Sequence, residues 1–327
     1  MDRRVVLATL GALLLVALAV PLGLGAARLT TPSPTRIPVV RPTPVFPSAA
    51  PEDPAAVFRQ PLVAGCATEQ AVWVVSDGGG IGRFDGTTWS LVDPTLRSLF
   101  AAACTRDTMI AVGGAGRVVY ASDRERSIRP DTAHLDDLNA LSLLSDGVLV
   151  AGTRGVVLRQ DARGWQPYAA GIEEDLYAVA ALGPASAWIV GGAGVSYRLE
   201  EAGWRPVATG VTVPLRAVAA ARPDDAVAAG DKGTLLVFDG RWRPVDAGTT
   251  ADLRAAARAG GAVYVAGDRG TLLRVDGGRV TALDLGTTCH LRGLFTRGAE
   301  LWAVGLEGAR AGVWRIVGGE ATHWGAC

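Results

Sequence analysis

The segment GDKGTLLVFDGRW, residues 230–242, decides the fold because versions of it recur along the chain. Six of the seven versions contain a Gly-x-x-Gly pattern, and its second glycine gives the register of the repeat; the first version has Ser76 at the position of the first glycine. Successive register glycines lie 37 to 39 residues apart, and a near-constant period of this kind is typical of repeat architectures. The register glycines are Gly79, Gly116, Gly155, Gly194, Gly233, Gly270 and Gly308.

Each repeat predicts four short strands. In the fifth repeat the segments PLRAVAAAR, DAVAAGD, GTLLVFDG and RWRPVDAG are separated by turn residues such as proline, aspartate and glycine. Seven such units of about 38 residues, with no helical pattern between them, predict an all-β fold, a seven-bladed β-propeller over residues 61–327. Because every repeat contains its own four strands in order, we expect neither terminus to complete a blade begun by the other.

The N-terminal residues predict export. After Arg3 and Arg4, residues 5–27 form an uncharged apolar run that is long enough to cross a membrane as a helix. Residues 1–28 are therefore either an uncleaved signal anchor or a cleaved signal peptide, and the sequence leaves both open. Residues 29–60 are rich in proline and predict an extended linker. In either case we expect the propeller outside the cytoplasm, membrane-anchored in the first case and secreted or periplasmic in the second.

Cysteine spacing predicts two disulfides. Cys66 and Cys104 lie 38 residues apart, and so do Cys289 and Cys327. Residues at equivalent positions of neighbouring repeats can be close in space, and an exported compartment permits oxidation. We therefore expect Cys66–Cys104 and Cys289–Cys327 bonds.

The sequence contains no complete catalytic or cofactor-binding motif. The Gly-rich segment at residues 230–233 leads into a strand, whereas a phosphate-binding loop needs a following helix. The three histidines, His134, His290 and His323, lack a partner at zinc-ligand spacing, since the adjacent Cys289 and His290 would point to opposite faces of a strand. Lys plus Arg and Asp plus Glu both number 32, so no overall field favours nucleic acid. We expect no metal, no cofactor, no nucleic-acid partner and no enzymatic activity.

One column of the repeat does predict a binding surface. Arginine recurs near the start of the first strand in three consecutive repeats, beside a tyrosine and an asparagine in the two preceding ones. Arginines on one face of a ring are suited to bind an anionic peptide or a carboxylate. In sequence order the column contains Val63, Phe100, Asn139, Tyr177, Arg216, Arg254 and Arg292.

The same repeats offer a structural explanation for these arginines. Their turns contain the acids Asp231, Asp268 and Glu307, which would lie near Arg216, Arg254 and Arg292, respectively, within the same blade. Arginine and acid are absent together from the second to fourth repeats. The pattern therefore also fits intra-blade ion pairs, and the two interpretations remain open at this point.

The motifs resemble those of a known group of propellers. Residues 230–234 and 267–271, with the hairpins at 85–89 and 239–242, are similar to the repeats of exported bacterial propellers related to the photosystem II assembly and stability factors. They resemble more loosely the Asp-box (BNR) repeats of sialidases and sortilin-like domains. The hairpins lack the leading serine of the Asp-box and the residue between its aspartate and glycine.

The resemblance implies a non-enzymatic scaffold that binds a protein or peptide partner, such as an assembling membrane-protein complex, through one propeller face. The alternative is an extracytoplasmic carbohydrate-active enzyme of sialidase or lyase type. Such an enzyme needs free arginines and an acid in the channel. The two hypotheses therefore differ in whether Asp231, Asp268 and Glu307 neutralise the arginines.

Overall fold

The computed structural model describes residues 54–93, 98–122, 126–129, 135–169 and 171–327. These residues form seven antiparallel four-stranded sheets, each made of four strands consecutive in the sequence. The predicted all-β fold, the number of blades and the absence of a shared blade are confirmed. The predicted N-terminal helix, and the predicted linker up to residue 53, lie outside the described residues. Within the described ranges, no helix is both long and apolar enough to cross a membrane.

Blades 1 to 4 follow one another along the sequence. Blade 1 contains β1 (Leu62–Ala67), β2 (Val72–Ser76), β3 (Ile81–Phe84) and β4 (Trp89–Asp93). Blade 2 contains β5 (Leu99–Cys104), β6 (Thr108–Gly113), β7 (Val118–Ser122) and β8 (Arg126–Arg129). Blade 3 contains β9 (Leu138–Leu144), β10 (Gly147–Gly152), β11 (Val157–Asp161) and β12 (Gly164–Pro167). Blade 4 contains β13 (Leu176–Gly183), β14 (Ser186–Gly191), β15 (Ser196–Glu200) and β16 (Gly203–Pro206).

Blades 5 to 7 continue the ring. Blade 5 contains β17 (Leu215–Arg222), β18 (Asp225–Gly230), β19 (Leu235–Phe238) and β20 (Trp242–Pro244). Blade 6 contains β21 (Leu253–Ala259), β22 (Ala262–Gly267), β23 (Leu272–Asp276) and β24 (Arg279–Leu283). Blade 7 contains β25 (His290–Arg297), β26 (Glu300–Glu307), β27 (Arg310–Val317) and β28 (Glu320–Gly325).

The core lies between blades. The second strand of each blade has neighbouring blades on both faces, so its residues are continuously apolar rather than alternating, as in GVLVAG of β10. The second-strand tryptophans Trp73, Trp188 and Trp302 are at most 1 % exposed. These side chains fill the wedge-shaped space between sheets, and burial of each contributes about 2–3 kcal/mol.

The register glycines make the turns that bring each blade against the next. In blades 2 to 5 this turn is a single 3-10 turn whose middle residue has a positive φ, as at Lys232 with φ 58°. Gly233 follows with φ 71°, and a Cβ atom built on it would lie 1.9 Å from the Thr249 carbonyl oxygen in the connection to the next blade. Only glycine permits that approach, which explains why the repeat is aligned on this residue.

The ring closes where β25 of blade 7 contacts β1 of blade 1. The last residues of the predicted linker form a 3-10 helix, Pro54–Arg59, that packs on β4 and β27 at this seam. Val57 is fully buried, and the ring of Phe58 meets Trp89 edge-on with a centroid distance of 5.7 Å. The seam is therefore sealed by packing against this N-terminal segment, and no strand is exchanged.

Both predicted disulfides are present. Cys66 on β1 is bonded to Cys104 on β5, with a Cα–Cα distance of 5.4 Å, so this bond joins the innermost strands of blades 1 and 2. Cys289 precedes β25 and is bonded to Cys327 after β28, with a Cα–Cα distance of 6.1 Å. The second bond fixes the last residue of the sequence to the entry of blade 7.

Candidate binding site at the channel mouth

The predicted column lines one mouth of the channel that runs along the propeller axis. The cavity there has a volume of about 180 Å³, and below the column its wall is made mostly of alanine and glycine from the first strands. The seven column residues surround this mouth: Val63, Phe100, Asn139, Tyr177, Arg216, Arg254 and Arg292. The first strands bring them together because the same position of each blade faces the axis.

The mouth has an apolar side and a cationic side. Val63 and Phe100 lie on blades 1 and 2, whereas the arginines lie on blades 5, 6 and 7. Between these two sides, Asn139 Nδ2 donates to the carbonyl oxygen of Leu176 at 2.9 Å and ties blade 3 to blade 4. A ligand that covered this mouth would therefore meet an apolar surface as well as three guanidinium groups.

Arg216 forms the intra-blade ion pair that the sequence predicts. Its Nε and Nη2 donate to the two carboxylate oxygens of Asp231 at 3.0 and 3.1 Å. Its guanidinium carbon also lies 4.4 Å from the ring centroid of Tyr177, a cation–π contact from the neighbouring blade. The hydrogen bond to Asp231, with burial opposing it, raises the pKa of Arg216.

Arg254 forms the second predicted pair and a further one. Its Nη2 and Nε donate to Asp268 at 3.1 and 3.3 Å, and Nη2 also donates to Asp252 Oδ2 at 2.9 Å. Arg254 Nη1 lies 4.0 Å from Asp231 Oδ1, which links blades 5 and 6. Two carboxylates thus hold this guanidinium in one orientation.

Arg292 does not form the third predicted pair. Glu307 is exposed and takes part in no ion pair within the described part of the protein; the acid nearest to Arg292 is Asp268 of blade 6, at 3.9 Å. The reason is local: β26 and β27 continue to pair as far as Glu307↔Arg310, so Glu307 lies in a hairpin where other blades have the inward turn. Gly308 there has no atom within 4 Å of a built Cβ, whereas the register glycines of blades 3 to 6 each lie against the connection to the next blade.

Charge is unevenly compensated across these arginines. Burial, together with the positive charge of Arg254, lowers the pKa of Arg292. Burial opposes ionisation of Asp268, but the hydrogen bond from Arg254 and the charges of Arg254, Arg292 and His290 outweigh it and hold the pKa of Asp268 below its ordinary value. Asp268 is therefore shared among three cationic or ionisable groups at the junction of blades 6 and 7.

The sequence analysis missed a set of aspartates that tie one blade to the next. Each lies two residues before its column residue and accepts, at 2.8 to 2.9 Å, from the backbone N–H of the positive-φ residue in the preceding blade. The sequence does contain a signal for these aspartates. A leucine stands immediately before the column residue in all seven repeats, so the position before that leucine can be aligned, and the three aspartates share it. The aspartate–amide pairs are Asp137 with Ala115, Asp175 with Arg154 and Asp252 with Lys232.

The described residues contain no cluster of three or more His, Cys, Asp or Glu side chains placed to hold a metal ion. His290 lies beside the mouth, with Nδ1 3.2 Å from Asp268 Oδ1, although that nitrogen is not aligned for a hydrogen bond. His323, on the outer strand β28, stacks on Trp314 with a centroid distance of 4.8 Å, and burial lowers the pKa of His323. His134 lies outside the described residues.

Comparisons with known proteins identify the fold. No family model matches the sequence, and no curated protein matches it, so the resemblance to the photosystem II factors and to the Asp-box proteins rests on the quoted motifs alone. Among solved structures, the WD40 β-propeller domain of Doa1 is similar with a TM-score of 0.68 at 10 % identity, over 81 % of this chain and 95 % of that one. The WD40 repeats of RRP9 give 0.65 at 10 % identity, over 78 % and 92 %.

A third similar structure comes from a bacterial surface protein. PorZ, described as an essential surface component of the type-IX secretion system of Porphyromonas gingivalis, matches with a TM-score of 0.61 at 12 % identity. The match covers 82 % of this chain but 38 % of PorZ. At these identities the three similarities establish a β-propeller.

Proposed function

We propose that this protein is an exported, non-enzymatic scaffold that binds a protein or peptide partner over the channel mouth. The observation that carries the proposal is the convergence of Arg216, Arg254 and Arg292 on three consecutive blades at one part of the mouth, with the apolar Val63 and Phe100 on the next two blades round the ring. Interfaces with protein partners are enriched in arginine and aromatic residues around an apolar centre. WD40-type propellers, to which the fold is similar, typically act as interaction scaffolds, which supports the proposal by analogy.

The two disulfides support the proposed location. Disulfide bonds persist in oxidising compartments, outside the cytoplasm. Residues 1–28 would then act as signal anchor or cleaved signal, and residues 29–53 as the linker between membrane and propeller. The partner would be a protein of the same compartment, and a membrane-protein complex under assembly is the finer form of this proposal.

The alternative, a carbohydrate-active enzyme, is supported less well. A sialidase-type site needs arginines free to bind the substrate carboxylate. Arg216 and Arg254 are instead each bound through two nitrogens to an aspartate of their own blade. Both oxygens of each aspartate accept from an arginine, so these carboxylates are directed at the arginines rather than at the channel.

The test compares two triple variants of the full-length protein. The first replaces Arg216, Arg254 and Arg292 by alanine. The innermost strands of the same blades carry a second set of arginines at or next to their last residue, and the control replaces those by alanine: Arg222, Arg258 and Arg297. Both variants remove three positive charges from the same three strands, and a thermal melt of each separates loss of binding from loss of folded protein.

Each variant is used as bait for cross-linking in cells that make the protein, followed by mass spectrometry. We expect a partner that is recovered with the wild type and the control but is reduced at least about tenfold with the mouth variant, which corresponds to about 1.4 kcal/mol or more. Equal loss in both triples, or loss in the control alone, would contradict binding at this mouth.

A further inference from the structure

One junction between blades uses a single carboxylate to bind two donors at once. At the junction of blades 5 and 6, Asp252 accepts from the Lys232 backbone N–H through Oδ1 at 2.8 Å and from Arg254 Nη2 through Oδ2 at 2.9 Å. The carboxylate therefore bridges the turn of one blade and the column arginine of the next. The junction of blades 6 and 7 places a positive-φ turn residue and a column arginine at the same two positions, so the two junctions can be compared.

At the junction of blades 6 and 7 both donors are present and the carboxylate is not. Arg269, with φ 58°, is the equivalent of Lys232, and its backbone N–H meets no acceptor among the described residues. Arg292 is the equivalent of Arg254. The residue at the position of Asp252 is His290, whose Nδ1 is turned towards Asp268.

Arg292 consequently lacks the equivalents of the two acids that hold Arg254. The turn acid of its own blade, Glu307, points into the exposed hairpin, and the residue two positions earlier is neutral or cationic rather than acidic. Its side chain remains 30 % exposed at the mouth. A half-buried guanidinium with one acid at 3.9 Å retains most of its hydrogen-bonding capacity for a ligand.

We propose that a carboxylate of the partner binds at the junction of blades 6 and 7 and accepts from the Arg292 guanidinium and the Arg269 backbone N–H. It would take the place that Asp252 holds one junction earlier. This inference rests on the proposed function and names the chemistry that the mouth recognises. The carboxylate is either that of an aspartate or glutamate residue or the free carboxylate at the C-terminus of the partner, since both present the same two oxygens.

The structure suggests a variant that supplies the missing group from within the protein itself. His290→Asp places a carboxylate at the position of Asp252, where it would compete with any external one. His290→Asn has nearly the same size and no charge, and it is the matched control. We expect the Asp variant to bind a carboxylate probe at least about tenfold more weakly than the Asn variant, since like charges now meet at the site.

Short peptides serve as probes, and binding to the full-length protein is followed by the ¹⁵N NMR shifts of the Arg269 amide and Arg292 Nε. Acetyl-Gly-Gly-Asp-Gly-Gly-amide offers an internal side chain, acetyl-pentaglycine offers a free C-terminus, and the Asn analogue of the first is neutral. Shifts with only the first peptide identify an acidic side chain as the ligand, and shifts with only the second identify a C-terminus. Either result, or shifts with both, supports the proposal when His290→Asp removes them.

Three outcomes would overturn it. These are shifts with the neutral peptide as large as with the acidic ones, no shifts with any peptide, and equal binding by the Asp and Asn variants of residue 290. Arg292→Ala provides a second variant should His290→Asp fail to fold, and it should abolish the shift of Arg269. If the partner captured by cross-linking binds His290→Asp as well as the wild type, the proposed binding at the mouth is retained and the proposed carboxylate site is wrong. If no partner is captured, the peptide titration still tests the carboxylate site.

Discussion

Arg216 and Asp231 lie face to face across the turn of blade 5, with two parallel hydrogen bonds of 3.0 and 3.1 Å between guanidinium and carboxylate. Arg292, two blades further round the ring, has no equivalent and approaches an acid only at 3.9 Å. Equivalent positions of the repeat thus contain one arginine that is paired with a carboxylate through two hydrogen bonds and one arginine without such a pair. This difference separates the residues that hold the mouth in shape from the residue available to a ligand.

Replacing these two arginines by alanine should affect stability differently. Arg216→Ala leaves Asp231 half-buried without its partner and removes the contact with Tyr177, so we expect a loss of about 1–3 kcal/mol. Arg292→Ala removes a charge that is poorly compensated, so we expect a change within about 0.5 kcal/mol. Chemical denaturation of both variants measures the difference, and equal losses would show that Arg292 is held as firmly as Arg216.

The cost of replacing a register glycine by alanine should depend on whether a backbone carbonyl lies against it. Gly233→Ala places a methyl group 1.9 Å from the Thr249 carbonyl oxygen at φ 71°, so the backbone must move and we expect a loss above about 3 kcal/mol. Gly308→Ala has a similar φ, 61°, but no neighbour within 4 Å, so only the left-handed conformation costs energy, about 1–2 kcal/mol. Thermal melts of the two variants provide the comparison, and a similar loss in both would refute the role of the close approach.

Each disulfide should stabilise the fold through the loop that it closes. Both bonds join residues 38 apart in sequence, for which the chain-entropy model gives about 4 kcal/mol. We expect the Cys66→Ser/Cys104→Ser and Cys289→Ser/Cys327→Ser double variants to melt about 8 °C or more below the wild type under oxidising conditions. Under reducing conditions all three proteins should converge, and a gap that persisted there would point to packing rather than the bond.

The ion pair of Asp268 should contribute stability that depends on pH. Its pKa is lower in the folded protein than in the unfolded state, so its contribution is complete above the ordinary value of about 4 and is lost as the pH falls through the folded value. The difference in unfolding free energy between the wild type and Asp268→Asn should therefore shrink from about pH 6 to about pH 2. Denaturation curves at each pH test this, with Glu320→Gln on the exposed outer strand as the control.

The N-terminal 3-10 helix should contribute to ring closure. Val57 is fully buried at the seam, and a Cβ built on Gly82 would lie 2.6 Å from its Cγ1 atom, so blade 1 is shaped around this side chain. Val57→Ala should lower stability by about 1–3 kcal/mol, because the two lost methyl groups leave a cavity that Gly82 cannot fill. Ala56→Ser, one residue earlier and only partly buried, is the control. Equal melting of both variants would argue that the seam does not depend on this helix.

The repeat pattern was enough to predict the number of blades, the four strands of each, the two disulfides and the position of the column residues. These features repeat, and a period of 37 to 39 residues over seven units makes each local pattern confirm the others. The pairing of Arg216 with Asp231 and of Arg254 with Asp268 was also predictable, because both members lie within one blade whose turn follows the common pattern.

Which of the three arginines lacks a paired acid became visible in the folded protein. The spacing of Arg292 and Glu307 is like that of the other two pairs, but β26 and β27 continue to pair as far as Glu307 and Arg310 and carry Glu307 outward. The bridging role of Asp252, and its replacement by His290 one junction later, likewise depends on contacts between blades. An alignment of the repeats shows which residues each blade contains. The contacts of a side chain at the edge of a blade depend also on the neighbouring blade, and these contacts are visible only in the structure.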